Sequence, residues 1–314
     1  MSEIVGEGDG DPGVRRGRVL ETVGGVYRVD LEGVGQVDAS LRGRLKKVVS
    51  PEERIVAGDW VRVSDPGGEG EGVVVEERLP RDNELVRGGP GGRKPKVVAA
   101  NLDRVVVVLS VVDPSFRPEI ADRFLVLVES CGITPILVLN KMDLPGAPEA
   151  VSGPASLYRS IGYQVCPTSA RTGEGLQSLL EILGAGTSAL IGPSGVGKSS
   201  LLNALDPGLE LRTAPVSRRR GRGRHTTVSA RLLPLSSGWV VDTPGFSDVT
   251  LWGVDPATVV HSFPEFFGPG ESCRFSGCTH THEPGCGVKE ALGEGQIPES
   301  RYASYLTIAG VEGD

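Results

Sequence analysis

Apolar and polar positions along the chain change rhythm twice. From Val14 to about Pro80 they alternate in short runs, as where Val26, Arg28 and Asp30 interleave with Tyr27, Val29 and Leu31. That two-residue period marks half-buried strands. The segments GRVLET, VYRVDLEG, GQVDASL, DWVRVSD and EGVVVEERL, divided by turns such as VGG and EGVG, predict about five strands and a small barrel over residues 14–82. An OB-type barrel is the leading expectation, and such barrels often bind oligonucleotides; an SH3-like barrel with a structural role has the same pattern.

The stretch VRGGPGGRKPK, rich in Gly, Pro and basic residues, predicts a linker at 83–96. Beyond it the strands are apolar throughout: RVVVVLSVVD, ITPILVLN, YQVCPTSA, TSALIGPSG and GWVVDTPG. Helices are expected between them near Pro118–Ser130, near Pro154–Ser160, from Gly175 to Leu183 and from Lys198 to Leu205. Continuous apolar strands alternating with helices predict a largely parallel α/β sheet covered on both faces, residues 97–250. From about Leu251 Cys, His and aromatic residues crowd together, predicting a third, small unit over 251–314.

A chain of 314 residues with 39% hydrophobic content can form two or three cores. Its longest apolar run, Val105–Val112, is far short of the roughly 20 residues of a spanning helix. Residues 1–13 are acidic and Gly-rich, unlike a secretory leader, so a disordered tail and a cytoplasmic protein are expected. A monomer is the expected state. The net charge of −7 argues against wholesale attraction to nucleic acid. Between Leu211 and Val241, however, no acidic residue accompanies Arg212, Arg218, Arg219, Arg220, Arg222, Arg224 and Arg231. A basic loop on an acidic protein points to phosphate or RNA, with a solvated loop as the alternative.

Four short motifs fall at strand ends. GPSGVGKSS fits the phosphate-loop pattern, so Gly192, Pro193, Ser194, Gly195, Val196, Gly197, Lys198, Ser199 and Ser200 are expected around a nucleotide's phosphates. Its backbone N–H groups and helix N-terminus suit anions. Lys198 would neutralise the β and γ phosphates and the Ser199 hydroxyl would ligate Mg2+. In DTPG, Asp242 would stand beside the Mg2+ and the Gly245 N–H near the γ phosphate. In NKMD, the Asp143 carboxylate can accept from two guanine N–H groups that adenine does not offer, with Asn140 and Lys141 bracing the loop. In TSA, Ser169 and Ala170 follow the next strand and can present a backbone N–H to guanine O6. A typical GTPase runs phosphate loop, switch I, DxxG, NKxD, SA. Here NKMD and TSA precede the phosphate loop, and DTPG follows it, which is a circular permutation.

Cys273, Cys278, His280 and Cys286 have the spacing C-x4-C-x-H-x5-C. Three thiolates and one imidazole make a closed tetrahedral Zn2+ set, a structural site without an open position. His282, two residues on, is a rival ligand. A redox bridge is disfavoured in a cytoplasmic protein. Cys131 and Cys166 read as ordinary buried thiols.

In these motifs, their permuted order and the Cys/His cluster, the chain resembles the RsgA (YjeQ/YloQ) family of GTPases dependent on the small ribosomal subunit. The resemblance spans essentially all of the chain. It implies an OB barrel, a permuted GTPase domain and a C-terminal zinc domain, with GTP hydrolysis to GDP stimulated by the 30S subunit during its late maturation. It also implies 16S rRNA as a contact. The family's GRHTT stands at Gly223–Thr227, placing Thr227 as the switch I threonine on Mg2+ and His225 as the candidate that positions the attacking water. A His225 that contacts RNA phosphate is the alternative. Phe246 occupies the place where many GTPases carry a water-orienting Gln, so intrinsic hydrolysis is expected to be slow. Family spacing favours His280 over His282. The rival readings are a nucleotide-gated rRNA-binding assembly factor with little turnover and a permuted GTPase for the large subunit. The short path from DTPG to the cluster also raises the expectation that nucleotide state reorients the C-terminal unit.

Overall fold

The computed structural model describes residues 14–42, 54–64, 72–88, 96–209, 211, 230–243, 246 and 256–310. The expected tail at 1–13, Arg212, Arg218, Arg219, Arg220, Arg222, Arg224, His225, Thr227 and Gly245 lie outside the described residues.

The alternating segments form β1 (Val14–Val23), β2 (Val26–Leu31), β3 (Gly35–Leu41), β4 (Trp60–Ser64) and β5 (Val74–Arg78). They close into a barrel in the order β1-β2-β3-β5-β4. Only the β3–β5 pairing is parallel, with Ser40 opposite Val74 and Leu41 opposite Val75. This order is that of the OB barrel, which decides between the two readings of the alternation. Val19, Val29, Leu31, Val61, Val63 and Val75 fill the interior.

The expected linker is not a free connection. Glu84–Arg87 forms β6 and Lys96–Ala100 forms β7, paired antiparallel. Gly, Pro and basic residues between them concealed the flanking strand residues, whose Leu85, Val97 and Ala99 are buried. Side chains also fasten the barrel to the segments around this hairpin. Arg81 donates to both oxygens of the fully buried Asp59, at 2.6 and 2.8 Å. Arg18 Nη2 donates to the Asn101 carbonyl at 3.1 Å, and Asn101 Nδ2 to that of Gly58 at 3.0 Å.

The central sheet comprises β8 (Arg104–Ser110), β9 (Thr134–Asn140), β10 (Gln164–Pro167), β11 (Thr187–Ile191), β12 (Arg231–Leu235) and β13 (Gly238–Asp242), in the order β10-β9-β8-β11-β13-β12. All neighbours run parallel except the edge strand β12, which is antiparallel to β13. Its helices are α1 (Pro118–Ser130), α2 (Ala147–Ser160), α3 (Leu176–Leu183) and α4 (Lys198–Leu205). α2 begins well before the expected Pro154, which lies inside the helix. Pro148 is the proline in its first turn, where a missing N–H costs nothing, and burial of Ala147, Ala155 and Tyr158 offsets the interior proline.

Successive connections run outward from β8 to β9 and β10, then return to β11 on the other side of β8. The reversal makes the carboxyl ends of β8 and β11 the switch point where open α/β sheets bind ligands. The C-terminal residues form α5 (Pro256–Val259), α6 (Phe267–Gly270), α7 (Gly287–Gly293) and α8 (Glu299–Ile308). Phe263, Phe266 and Tyr305 pack there with Val126 of α1, so this unit has its own core seated on the central domain. Among the described residues no helix is long and apolar enough to cross a membrane.

Candidate nucleotide site and metal centre

The phosphate loop leaves β11, whose five residues are all buried, and enters α4 at Lys198. Two glycines make this path possible. Gly192 has φ +144° and a Cβ there would lie 2.1 Å from the Val108 carbonyl oxygen; Gly197 has φ +96° and its Cβ would meet Asn140 Nδ2 at 2.5 Å. The loop is thus pressed against β8 and against the NKMD segment, with no room for any side chain at these two points.

Lys198 Nζ donates to the carbonyls of Gly192 at 2.6 Å and Pro193 at 2.9 Å, so the ammonium sits within the curl of the loop. Burial pulls its pKa down to about 8, against the opposing attraction of Asp242. Asp242 ends β13 in register with Leu190 of β11. Burial pushes its carboxyl up, while Lys198 and Arg231 counter that rise. Thr243 Oγ1 donates to the Leu190 carbonyl at 2.5 Å and ties the DTPG segment to the phosphate-loop strand. The Gly192 N–H donates to the Phe246 carbonyl at 3.3 Å, and the Phe246 ring is buried in the core of the sheet. Its side chain is therefore committed to packing and carries no polar group.

Asn140 links the NKMD and TSA segments to the phosphate loop. Its Nδ2 donates to the Val196 carbonyl in the phosphate loop at 2.9 Å, and its Oδ1 accepts from Thr168 Oγ1 at 3.1 Å and from the Ala170 N–H at 3.4 Å. One buried amide joins three motifs that are far apart in the chain. Asp143 Oδ1 accepts from Ser169 Oγ at 2.7 Å, which fixes a carboxylate whose side chain is 12% exposed. Ser169 Oγ in turn accepts from the N–H groups of Arg171 and Thr172, at 3.3 and 3.1 Å. Lys141, at φ 70°, donates from Nζ to the Asp113 carbonyl at 2.5 Å, which holds its side chain across to the segment after β8. The chemistry on offer is an anion cradle, one cation, hard oxygen donors from Ser199 and Asp242 that suit Mg2+, and a fixed carboxylate acceptor.

The second cluster gathers Cys273, Cys278, His280 and Cys286, whose ligand atoms all lie within 4.8 Å of one another. His280 Nδ1 is 3.5 Å from Cys273 Sγ and 3.4 Å from Cys286 Sγ, and those two sulfurs are 4.0 Å apart. A tetrahedral site with Zn–S near 2.3 Å has S···S edges of ~3.8 Å, so the donor set and its size fit that metal. His280 adopts φ 58° and turns Nδ1 inward; Tyr302 OH donates to its carbonyl at 2.7 Å. His282 does not join the cluster: its Nδ1 lies 2.9 Å from Thr281 Oγ1 and the residue is exposed. Glu283 holds the intervening loop by accepting from Thr279 N, Thr279 Oγ1 and Thr281 N. Burial opposes its charge, but these hydrogen bonds draw its pKa down to about 2.

Two arrangements had no signal in the motifs. Arg301 of α8, fully buried, meets Asp122 of α1 at 2.6 Å and Glu265 at 2.7 Å. Arg231 of β12 meets Glu21 of the barrel at 2.6 Å.

A family model described as RsgA GTPase matches residues 78–252, a span that contains all four nucleotide motifs. The chain belongs to the RsgA GTPase family. Among relatives, the small ribosomal subunit biogenesis GTPase RsgA of Gemmatimonas aurantiaca is 44% identical over 294 residues, covering 93% of this chain and 95% of that protein. Its namesake in Geobacillus thermodenitrificans is 43% identical over 297 residues, with the same coverage. Among solved structures, YjeQ from Thermotoga maritima superposes with a TM-score of 0.79 at 36% identity, over 96% of this chain and 99% of that one. YloQ, described as a circularly permuted GTPase, gives 0.73 at 32%, over 95% and 94%. The permuted motif order of this RsgA family member agrees with that description.

Proposed function

We propose that this protein hydrolyses GTP to GDP and phosphate in the late maturation of the small ribosomal subunit, in the cytoplasm and as a monomer, with 16S rRNA as its contact. The observation that carries the nucleotide reading is Asn140, whose one side chain binds the NKMD, TSA and phosphate-loop segments together at the sheet's switch point. The ribosomal partner rests on the names of relatives that match over nearly the full chain.

In this reading Asp143 accepts the guanine N1–H and 2-amino hydrogens, Ser169 holds that carboxylate, and Ala170 supplies an N–H to O6. Lys141 lies along the base. Residues Gly192 to Ser200 surround the phosphates, and Lys198 stabilises negative charge that develops on the γ phosphate. Ser199, Thr227 and Asp242 would hold Mg2+, which would supply positive charge to neutralise the phosphate oxygens. The Gly245 N–H contacts the γ phosphate, and His225 positions the water. With Phe246 buried in the core, turnover without the partner is slow. Cys273, Cys278, His280 and Cys286 hold one structural Zn2+. Competition against a fluorescent guanine nucleotide tests the pocket directly: GTP and GDP displace it at low concentration and ATP does not. Equal displacement by ATP would remove the base reading.

A further inference from the structure

β1 carries an extra residue against β2. Val19 pairs with Val29 and Glu21 with Arg28, leaving Leu20 between them as a bulge. Val19 therefore fills the barrel, whereas Leu20 packs into the core of the central sheet with Leu232 and Phe246. Glu21 then reaches β12: its Oε2 lies 2.6 Å from Arg231 Nε, and its Oε1 is 3.0 Å from Arg28 Nη1. Arg28 also holds Asp38 at 3.2 Å. Arg231 is the cross-strand partner of Asp242, and such partners share a face of the sheet. One guanidinium thus stands between a barrel carboxylate and the carboxylate beside the phosphate loop.

We propose that Glu21 and Arg231 are positioning residues that set the electrostatic field around the Asp242 carboxylate, so that Mg2+-dependent nucleotide binding responds to the barrel. The inference rests on Asp242 being the acid beside Mg2+. Glu21 neutralises much of Arg231. For the Asp242 carboxylate, breaking the bridge lets the guanidinium's field reach the site and repel a divalent cation there; once Arg231 itself is neutral, that repulsion disappears. The two ends of the bridge therefore act with opposite sign. A bridge that only fastened the barrel to the sheet would give losses of the same sign from either end.

The test titrates Mg2+ into the full chain with a fluorescent GTP analogue and reads the Mg2+ concentration at half-maximal response. Arg231 is 49% exposed, so water screens it and modest factors are expected. Glu21→Gln raises the half-point about two- to fivefold, Arg231→Gln lowers it by a similar factor, and Arg231→Lys restores it toward that of the natural chain. Shifts in the same direction for Glu21→Gln and Arg231→Gln, or no shift in either, overturn the proposal. Asp242→Asn checks the underlying reading separately. If it leaves the Mg2+ response intact, Asp242 is not the acid and the site reading falls with the proposal; if it abolishes the response, a failure of the bridge variants is the proposal's own.

Discussion

Replacing Arg301 by methionine should loosen the C-terminal unit far more than a surface charge would. The guanidinium is fully buried and donates to Asp122 at 2.6 Å and to Glu265 at 2.7 and 3.3 Å, with the Phe263 ring 4.5 Å from its centre. Burial alone would lower its pKa, but the two carboxylates more than offset this and raise it. Methionine fills much of the volume yet leaves Asp122, which is fully buried, facing Tyr158 OH at 2.6 Å, and Glu265 stripped of its partner. Orphaning buried charge in this way costs about 3–5 kcal/mol. Amide exchange in α8 reads the loss locally, where that range corresponds to roughly a hundred- to several-thousand-fold faster exchange. Combining Arg301→Met with Asp122→Asn and Glu265→Gln removes the orphaned charges and should recover most of the protection. A single variant that exchanges less than tenfold faster would refute the reasoning. The same magnitude bears on the expected reorientation of this unit with nucleotide state: a swing away from α1 would have to break the triad, so α8 should stay equally protected with GTP analogue and with GDP.

Other consequences are equally open to measurement. Lys198 is charged below its lowered pKa of about 8 and loses that charge as pH rises through it, so kcat/KM for GTP should fall above about pH 8 in a pH–rate profile. Asp143→Asn exchanges an acceptor for a donor facing the guanine N–H groups; GTP affinity should drop about a hundredfold or more, while xanthosine triphosphate, with a carbonyl at position 2, should gain relative to GTP in competition binding. Cys278→Ser should lower bound zinc from one per chain toward none and expose the C-terminal unit to protease, whereas His282→Ala should keep the metal, as read by elemental analysis.

What the sequence discloses is what repeats locally. The alternation at Tyr27, Val29 and Leu31 announces β2, and the apolar run into Asn140 announces β9 together with the motif at its end. Each nucleotide motif is a contiguous string, so its place at a strand end could be read without coordinates. The strand pair around the expected linker was hidden because glycines and prolines dominate the sequence between its strands, which are only four and five residues long. Pro154 was misleading because local propensity marks a start where packing of Ala155 and Tyr158 carries the helix through. Arg301 and its partners are separated by 179 and 36 residues, and Glu21 and Arg231 belong to different domains. No periodicity encodes such pairs; they exist because the bulge at Leu20 and the seating of α8 on α1 bring them together.

The most direct test of the account is GTP and ATP hydrolysis by the purified chain, alone and with 30S or 50S subunits added. The account predicts slow turnover alone and strong stimulation by 30S subunits with GTP only. Turnover that 30S leaves unchanged, or that 50S raises as much, would contradict it.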